Sequence, residues 1–202
     1  MNARERINLP LGAEVTEAEI PGDLAMWFFI FAELAVFALL LGGMAFARGT
    51  WPEMFSAGVA TLHPQAGLIN TLALLTGSYW VARGVADMRA GRLSSLPRWF
   101  YAGAGSGVIY VVIKTVEYVQ LFSAGYNLRT DTFYFFYFFT TFFHMMHVLL
   151  GMVILLVVAR RWQRGVYQTP GARRMAADSA ASYWHMVDLV WLMLFPLLYI
   201  LP

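Results

Sequence analysis

Five long apolar runs, each almost free of charge, constrain this chain more than any other feature. They cover about residues 24–47, 67–86, 99–122, 133–158 and 180–201. A helix needs about 20 mostly apolar residues to cross a bilayer. The runs are too long and continuous for the ~10-residue alternating strands of a membrane barrel. The expectation is therefore an all-α, polytopic membrane protein with five transmembrane helices. Composition agrees: 59% of the 202 residues are hydrophobic and only 13% are charged, against about 25% charged in an ordinary soluble domain. A disordered chain is excluded, and a soluble enzyme is disfavoured. With no cysteine there is no disulfide framework, thiolate zinc site or iron–sulfur cluster.

Residues 1–23 are polar and read as an exposed tail, with Asp23 placed to cap the first helix. The remaining 24–202 form one membrane domain without an evident internal repeat. Of 14 cations, 13 are Arg and one is Lys114. Ten of the Arg fall in the tail, the second-to-third loop and the fourth-to-fifth loop, whereas Arg48 and Arg129 fall on the other side. That asymmetry predicts a cytoplasmic N-terminus and a periplasmic C-terminus. The excess of positive charge is too small for nucleic acid binding.

Ionisable groups inside apolar helices are costly, about 2.5–3.5 kcal/mol each for Asp, Lys or Arg on insertion scales. Glu33, His147 and Asp188 come from three different runs and fall at similar depths, with His144 and His185 nearby; together they are a candidate buried polar core for protons or lipid. In a Phe/Leu/Ala helix an isolated Glu33 is expected to be neutral much of the time. Thr140, His144, His147 and Gly151 share one helical face, and His185 and Asp188 are an i,i+3 pair. Lys114 and Glu117, also i,i+3, form an outer polar pair able to close an ion bridge on one helix. Gly103 and Gly107 are a small-xxx-small pair for close helix packing, Gly151 offers the same, and Asn70 is an expected interhelical hydrogen-bond donor. His144-x-x-His147 could ligate a metal, but interhelical hydrogen bonding is favoured over metal or haem. With no Glu-x-x-His helix pair there is no di-iron site. The glycine-rich run 103–107 lacks the preceding strand of a nucleotide loop. No catalytic centre and no metal site are expected in this chain.

Four stretches resemble subunit III of the haem-copper oxidases. They are MWFFIFAELAVF with Glu33; KTVEYVQLFSAGYNLRTDTFYFFYF with Glu117-Tyr118; TTFFHMMHVLLGMVIL with the two histidines; and SYWHMVDLVWLMLFPLLYI with Trp184, His185, Asp188 and Trp191. The chain is similar to the five-helix form of that family, and looks most like NorE, the accessory protein of nitric oxide reductase. The resemblance implies a non-catalytic accessory subunit in the bacterial inner (plasma) membrane. Such a subunit supports assembly, stability and proton uptake in respiratory electron transport. The implied partners are the catalytic subunit of a nitric oxide reductase or terminal oxidase, which carries haem and non-haem iron or copper, and phospholipids held in a cleft. Subunit III of a quinol or cytochrome c oxidase is the alternative within the family. A small proton-coupled transporter is the alternative outside it.

Overall fold

The computed structural model describes residues 22–201. The expected tail therefore lies outside the described residues except for Gly22 and Asp23, and Arg4 and Arg6 lie outside them too. Six α-helices follow in order: α1 (Leu24–Thr50), α2 (Pro52–Val59), α3 (Pro64–Arg89), α4 (Leu96–Ser123), α5 (Thr132–Gln163) and α6 (Pro170–Phe195). A π-helical turn, Pro196–Ile200, closes the chain.

Local chemistry sets the ends. The side chains of Asp23, Asp131 and Thr169 accept from the backbone N–H of Ala25, Tyr134 and Ala172, capping α1, α5 and α6. Pro52, Pro64 and Pro170 open α2, α3 and α6, where the missing N–H has no helical partner to lose. Three helices stop in the same way, at Gly91, Gly125 and Gly165, each with positive φ. In each, the following N–H reaches back to the helix, as Arg92 N does to Asp87 O at 2.9 Å. That is the Schellman arrangement, which favours glycine at the left-handed position.

Helices α3, α4, α5 and α6 pack in a closed ring, α3 on α4, α4 on α5, α5 on α6 and α6 back on α3. Close approach comes from glycines around one indole. A Cβ on Gly151 would lie 3.1 Å from Trp184, and one on Gly107 would lie 3.1 Å from Trp184 and 2.7 Å from Met152. A Cβ on Gly103 would come 2.6 Å from Val81. Gly77, on α3, completes the slot against Ser106 and Trp184. Helix α1 lies outside the ring and touches α5 and α6 along a narrow seam of Ile30, Phe37, Met44 and Ala47. Its remaining surface, including Phe28, Phe31, Leu39 and Phe46, is exposed.

The helices differ from the expected runs in three respects. Four of them are long and apolar enough to cross a membrane: Leu24–Thr50, Leu96–Ser123, Thr132–Gln163 and Pro170–Ile200. Helix α3 has the length but not the average hydropathy, so the expectation of five spans is met only in part. The reason is that α3 carries Asn70, Thr71 and Ser78 inward, all buried, while Leu68, Ile69, Leu72 and Leu75 face outward. The last long helix begins at Pro170 rather than near residue 180, because the segment with Arg173, Arg174 and Asp178 extends it beyond the apolar run. Helix α2 was not foreseen; it lies against α5 with Phe55 on Phe133 at 5.5 Å.

Candidate functional site

Most of the polar side chains inside the bundle fall into three groups, each positioned by a different set of elements. On the α1–α5 seam, His147 Nε2 is 2.9 Å from Glu33 Oε2, and His147 Nδ1 is 2.7 Å from the Phe143 carbonyl. A carbonyl can only accept, so Nδ1 carries the proton. Nε2 then either accepts from a neutral Glu33 or, protonated, donates to its carboxylate. Both states satisfy the pair, so Glu33 is not a lone carboxyl in lipid. Its side chain keeps 19% of its surface open, against 8% for His147, so this pair is reachable from the bundle's edge. Phe37 and Phe143 flank the imidazole edge-on at 5.2 and 4.6 Å.

Between α4, α5 and the final turn, Lys114 is fully buried. Its Nζ donates to Glu117 Oε2 at 2.9 Å, to the Tyr137 hydroxyl at 3.1 Å and to the Tyr199 hydroxyl. Tyr199 in turn donates to Glu117 at 2.7 Å. The ion bridge expected on one helix is thus held by two tyrosines from other elements. Neither tyrosine was singled out in the sequence. Tyr137 sits in a Phe-rich run that reads as lipid-facing. Tyr199 reaches inward only because Pro196, unable to donate, opens α6 into the π turn, where Leu201 N bonds Pro196 O at 2.9 Å.

On the α3–α6 side, Ser78 Oγ lies 3.3 Å from His185 Nδ1, and Asp188 is near enough to Ser78 to feel its hydroxyl. Asp188 therefore faces α3, and it does not join the Glu33–His147 pair with which it shares a depth. His144 stands apart as well. It is fully buried, stacked on Trp191 at 5.3 Å and edge-on to Tyr110 at 5.4 Å, and neither ring nitrogen has a hydrogen-bond partner among the described residues. Asn70, expected to bond across helices, is equally buried with both amide atoms unpartnered.

Beyond the apolar part of α3, Asp87 accepts from Arg92 at 2.6 Å, from the Trp99 indole at 3.0 Å and from Ser95 at 3.1 Å. These donors, Arg92 foremost, hold its pKa down to about 2 despite burial. Arg89 reaches Asp178 at 2.9 Å and ties α3 to α6 at the same end.

Among the described residues no group of three or more His, Cys, Asp or Glu is arranged to hold a metal. His147 has both nitrogens engaged, and His144 is wedged between aromatic rings. The arrangement can hold helices together, exchange a proton at Glu33 and His147, and present apolar faces to lipid or to another membrane subunit.

The family described as Cytochrome c oxidase subunit III matches residues 22–202. The chain is 31% identical over 183 residues to "Cytochrome c oxidase subunit 3" of Synechocystis, covering 89% of this chain and 76% of that protein. It is 31% identical over 182 residues to the protein of that name from Thermostichus vulcanus, covering 88% and 86%. To that of Corynebacterium diphtheriae it is 31% identical over 177 residues, covering 85% and 83%.

Proposed function

The chain belongs to the cytochrome c oxidase subunit III family, and from that premise we propose that it is the non-catalytic third subunit of a cytochrome c oxidase in a bacterial inner membrane. The observation that carries the reading is the match across nearly the whole chain to relatives named as subunit 3 of that oxidase. The names of these relatives favour this reading over the NorE-like assignment to a nitric oxide reductase. Electrons pass through haem and copper in the partner. This subunit supplies a docking face, lipid contacts and stability.

Five helices cross the bilayer in this reading. Helix α3 completes the set because its inward polar residues leave an apolar outer face. The C-terminal ends of α3 and α5 and the N-terminal ends of α4 and α6 carry Arg89, Arg92, Arg98, Arg160, Arg161, Arg164, Arg173 and Arg174. That end lies in the cytoplasm, with acidic headgroups attracted to it. Glu33 and His147 then sit at the edge of the bundle, where lipid and proton traffic to the catalytic subunit can reach them.

Mild-detergent purification through a tag on this chain tests the proposal. A haem- and copper-containing oxidase should co-purify, with the spectrum of an oxygen-reducing centre. Recovery of a haem and non-haem iron reductase would assign the chain to nitric oxide reduction instead, and recovery of no haem protein would remove the accessory role.

A further inference from the structure

Seven side chains of the α3–α6 ring bury a polar atom without a hydrogen-bond partner among the described residues; Asp178 Oδ2 has Arg174 at 3.6 Å, which leaves Asn70, Tyr110, Thr140, His144, Trp184 and Asp188. Each is at most 6% exposed. Buried polar groups in folded proteins are nearly always hydrogen-bonded, to protein or to ordered water. Six exceptions in one bundle, all in its interior, are not scattered defects. Tyr110 lies 5.4 Å from His144 and 4.9 Å from Trp191, ring to ring. Trp191 donates to Thr71, the neighbour of Asn70 on α3. Thr140 is one turn from His144 on α5. Asp188 is one turn from Trp191, and Trp184 one turn further, on α6. The orphaned atoms thus belong to residues of all four helices, several of which meet around Trp191.

An open groove of about 640 Å³ between α3 and α6, lined by Arg89, Asp178, Ser182 and His185 among others, lies toward the arginine-rich end. His185, which lines it, lies 3.3 Å from Ser78 and one turn before Asp188, whose Oδ1 is one of the orphans. On the other side of Trp191, 5.5 Å from its ring, stands the ammonium of Lys114. Its three donors are all taken, and its fixed cation repels a hydrated proton.

We infer that the interior of the α3–α6 ring is a hydrated blind well, in which bound waters bridge Asp188 and Trp184 to Asn70, Tyr110, Thr140 and His144. The well fills through the α3–α6 groove and is closed by the Lys114–Glu117 pair. A buried water makes about three hydrogen bonds to otherwise unsatisfied groups, and here the acceptors and donors come from all four helices. The well gives the cytoplasmic side access to His144 without a conducting path across the membrane. It does not depend on which reductase the subunit serves.

Radiolytic hydroxyl-radical labelling of the full chain in lipid nanodiscs, run in heavy-oxygen water, reads the well directly, because radicals arise where water is bound. Trp184 and Tyr110 should take up label although buried. Phe133 and the reactive Met44, equally buried, should stay unlabelled. His144→Phe, which keeps the aromatic stack and removes both nitrogens, should cause loss of label at Tyr110 in protein that still folds. Absence of label at Trp184 and Tyr110 in the parent protein overturns the inference, and so does label at Tyr110 that survives His144→Phe undiminished.

Discussion

Replacing Lys114 by methionine tests the ion bridge most sharply. Methionine keeps the length and apolar stem of lysine but withdraws the charge from a fully buried cage. Glu117, 3% exposed, would be left with only Tyr199. Removing one partner of a buried pair costs about 3–5 kcal/mol, roughly a hundredfold to a few thousandfold in the unfolding equilibrium. Glu117→Gln alone should cost a similar amount, since it strands the ammonium. The double variant removes both charges and retains an amide for Tyr199, so it should be less damaged than either single. Buried pairs replaced together by neutral groups are often close to neutral. The expected coupling is about 3 kcal/mol or more, against scatter of about 0.3–0.5 kcal/mol for independent sites. Unfolding by sodium dodecyl sulfate titrated into maltoside micelles, followed by tryptophan fluorescence, measures it. Additive single effects would refute the cage, because the two charges would then not share an environment.

Other perturbations follow from the same geometry. Glu33→Gln should leave stability and partner binding near the parent, because an amide can still bond His147. Glu33→Leu should cost about 1–3 kcal/mol by leaving Nε2 unpaired, and Glu33→Lys should abolish co-purification of the partner; normal assembly of the lysine variant would show the seam to be open to water. Gly77→Ala should destabilise by about 1–3 kcal/mol through a clash in the Trp184 slot, whereas Gly105→Ala, with nothing within 4 Å, should be neutral or stabilising by up to about 1 kcal/mol; thermal melts in detergent separate them. Asp87 is ionised in the folded turn down to about pH 2, while an unfolded carboxyl takes up its proton near about pH 4. Its contribution is present in full above about pH 4 and is lost as pH falls through about 2; hydrogen exchange in the α3–α4 turn should quicken across that window, and Asp87→Asn should make it fast at every pH.

Much of the architecture is legible along the chain because lipid imposes strict terms on sequence. A spanning helix must be long and apolar, and its few charges must face inward. The apolar runs therefore mark α1, α4, α5 and most of α6, and Lys114 and Glu117 are close enough on one helix to pair without any tertiary information. The resemblance carried by Glu33, the two histidines and the Trp184–Trp191 stretch identified the family; within it the reading went to the NorE-like form, whereas the named relatives are cytochrome c oxidase subunits 3. Helix α3 is harder to see, since averaging over its length mixes the buried Asn70, Thr71 and Ser78 with the apolar outer face.

Depth along a helix is fixed by rise per residue, but direction across the bundle depends on how neighbours rotate and lean. Glu33, His147 and Asp188 share a level, yet packing turns the first two toward the α1–α5 seam and Asp188 toward Ser78 on α3. Likewise, nothing local in Tyr137 or Tyr199 announces a lysine's partner. Pro196 must break the helix, and α5 must lie against α4, before their hydroxyls reach Nζ. Sequence thus determined which groups must leave lipid, since that cost belongs to each residue alone; tertiary structure decided whom each would meet, since a hydrogen bond exists only between surfaces that packing has already brought together.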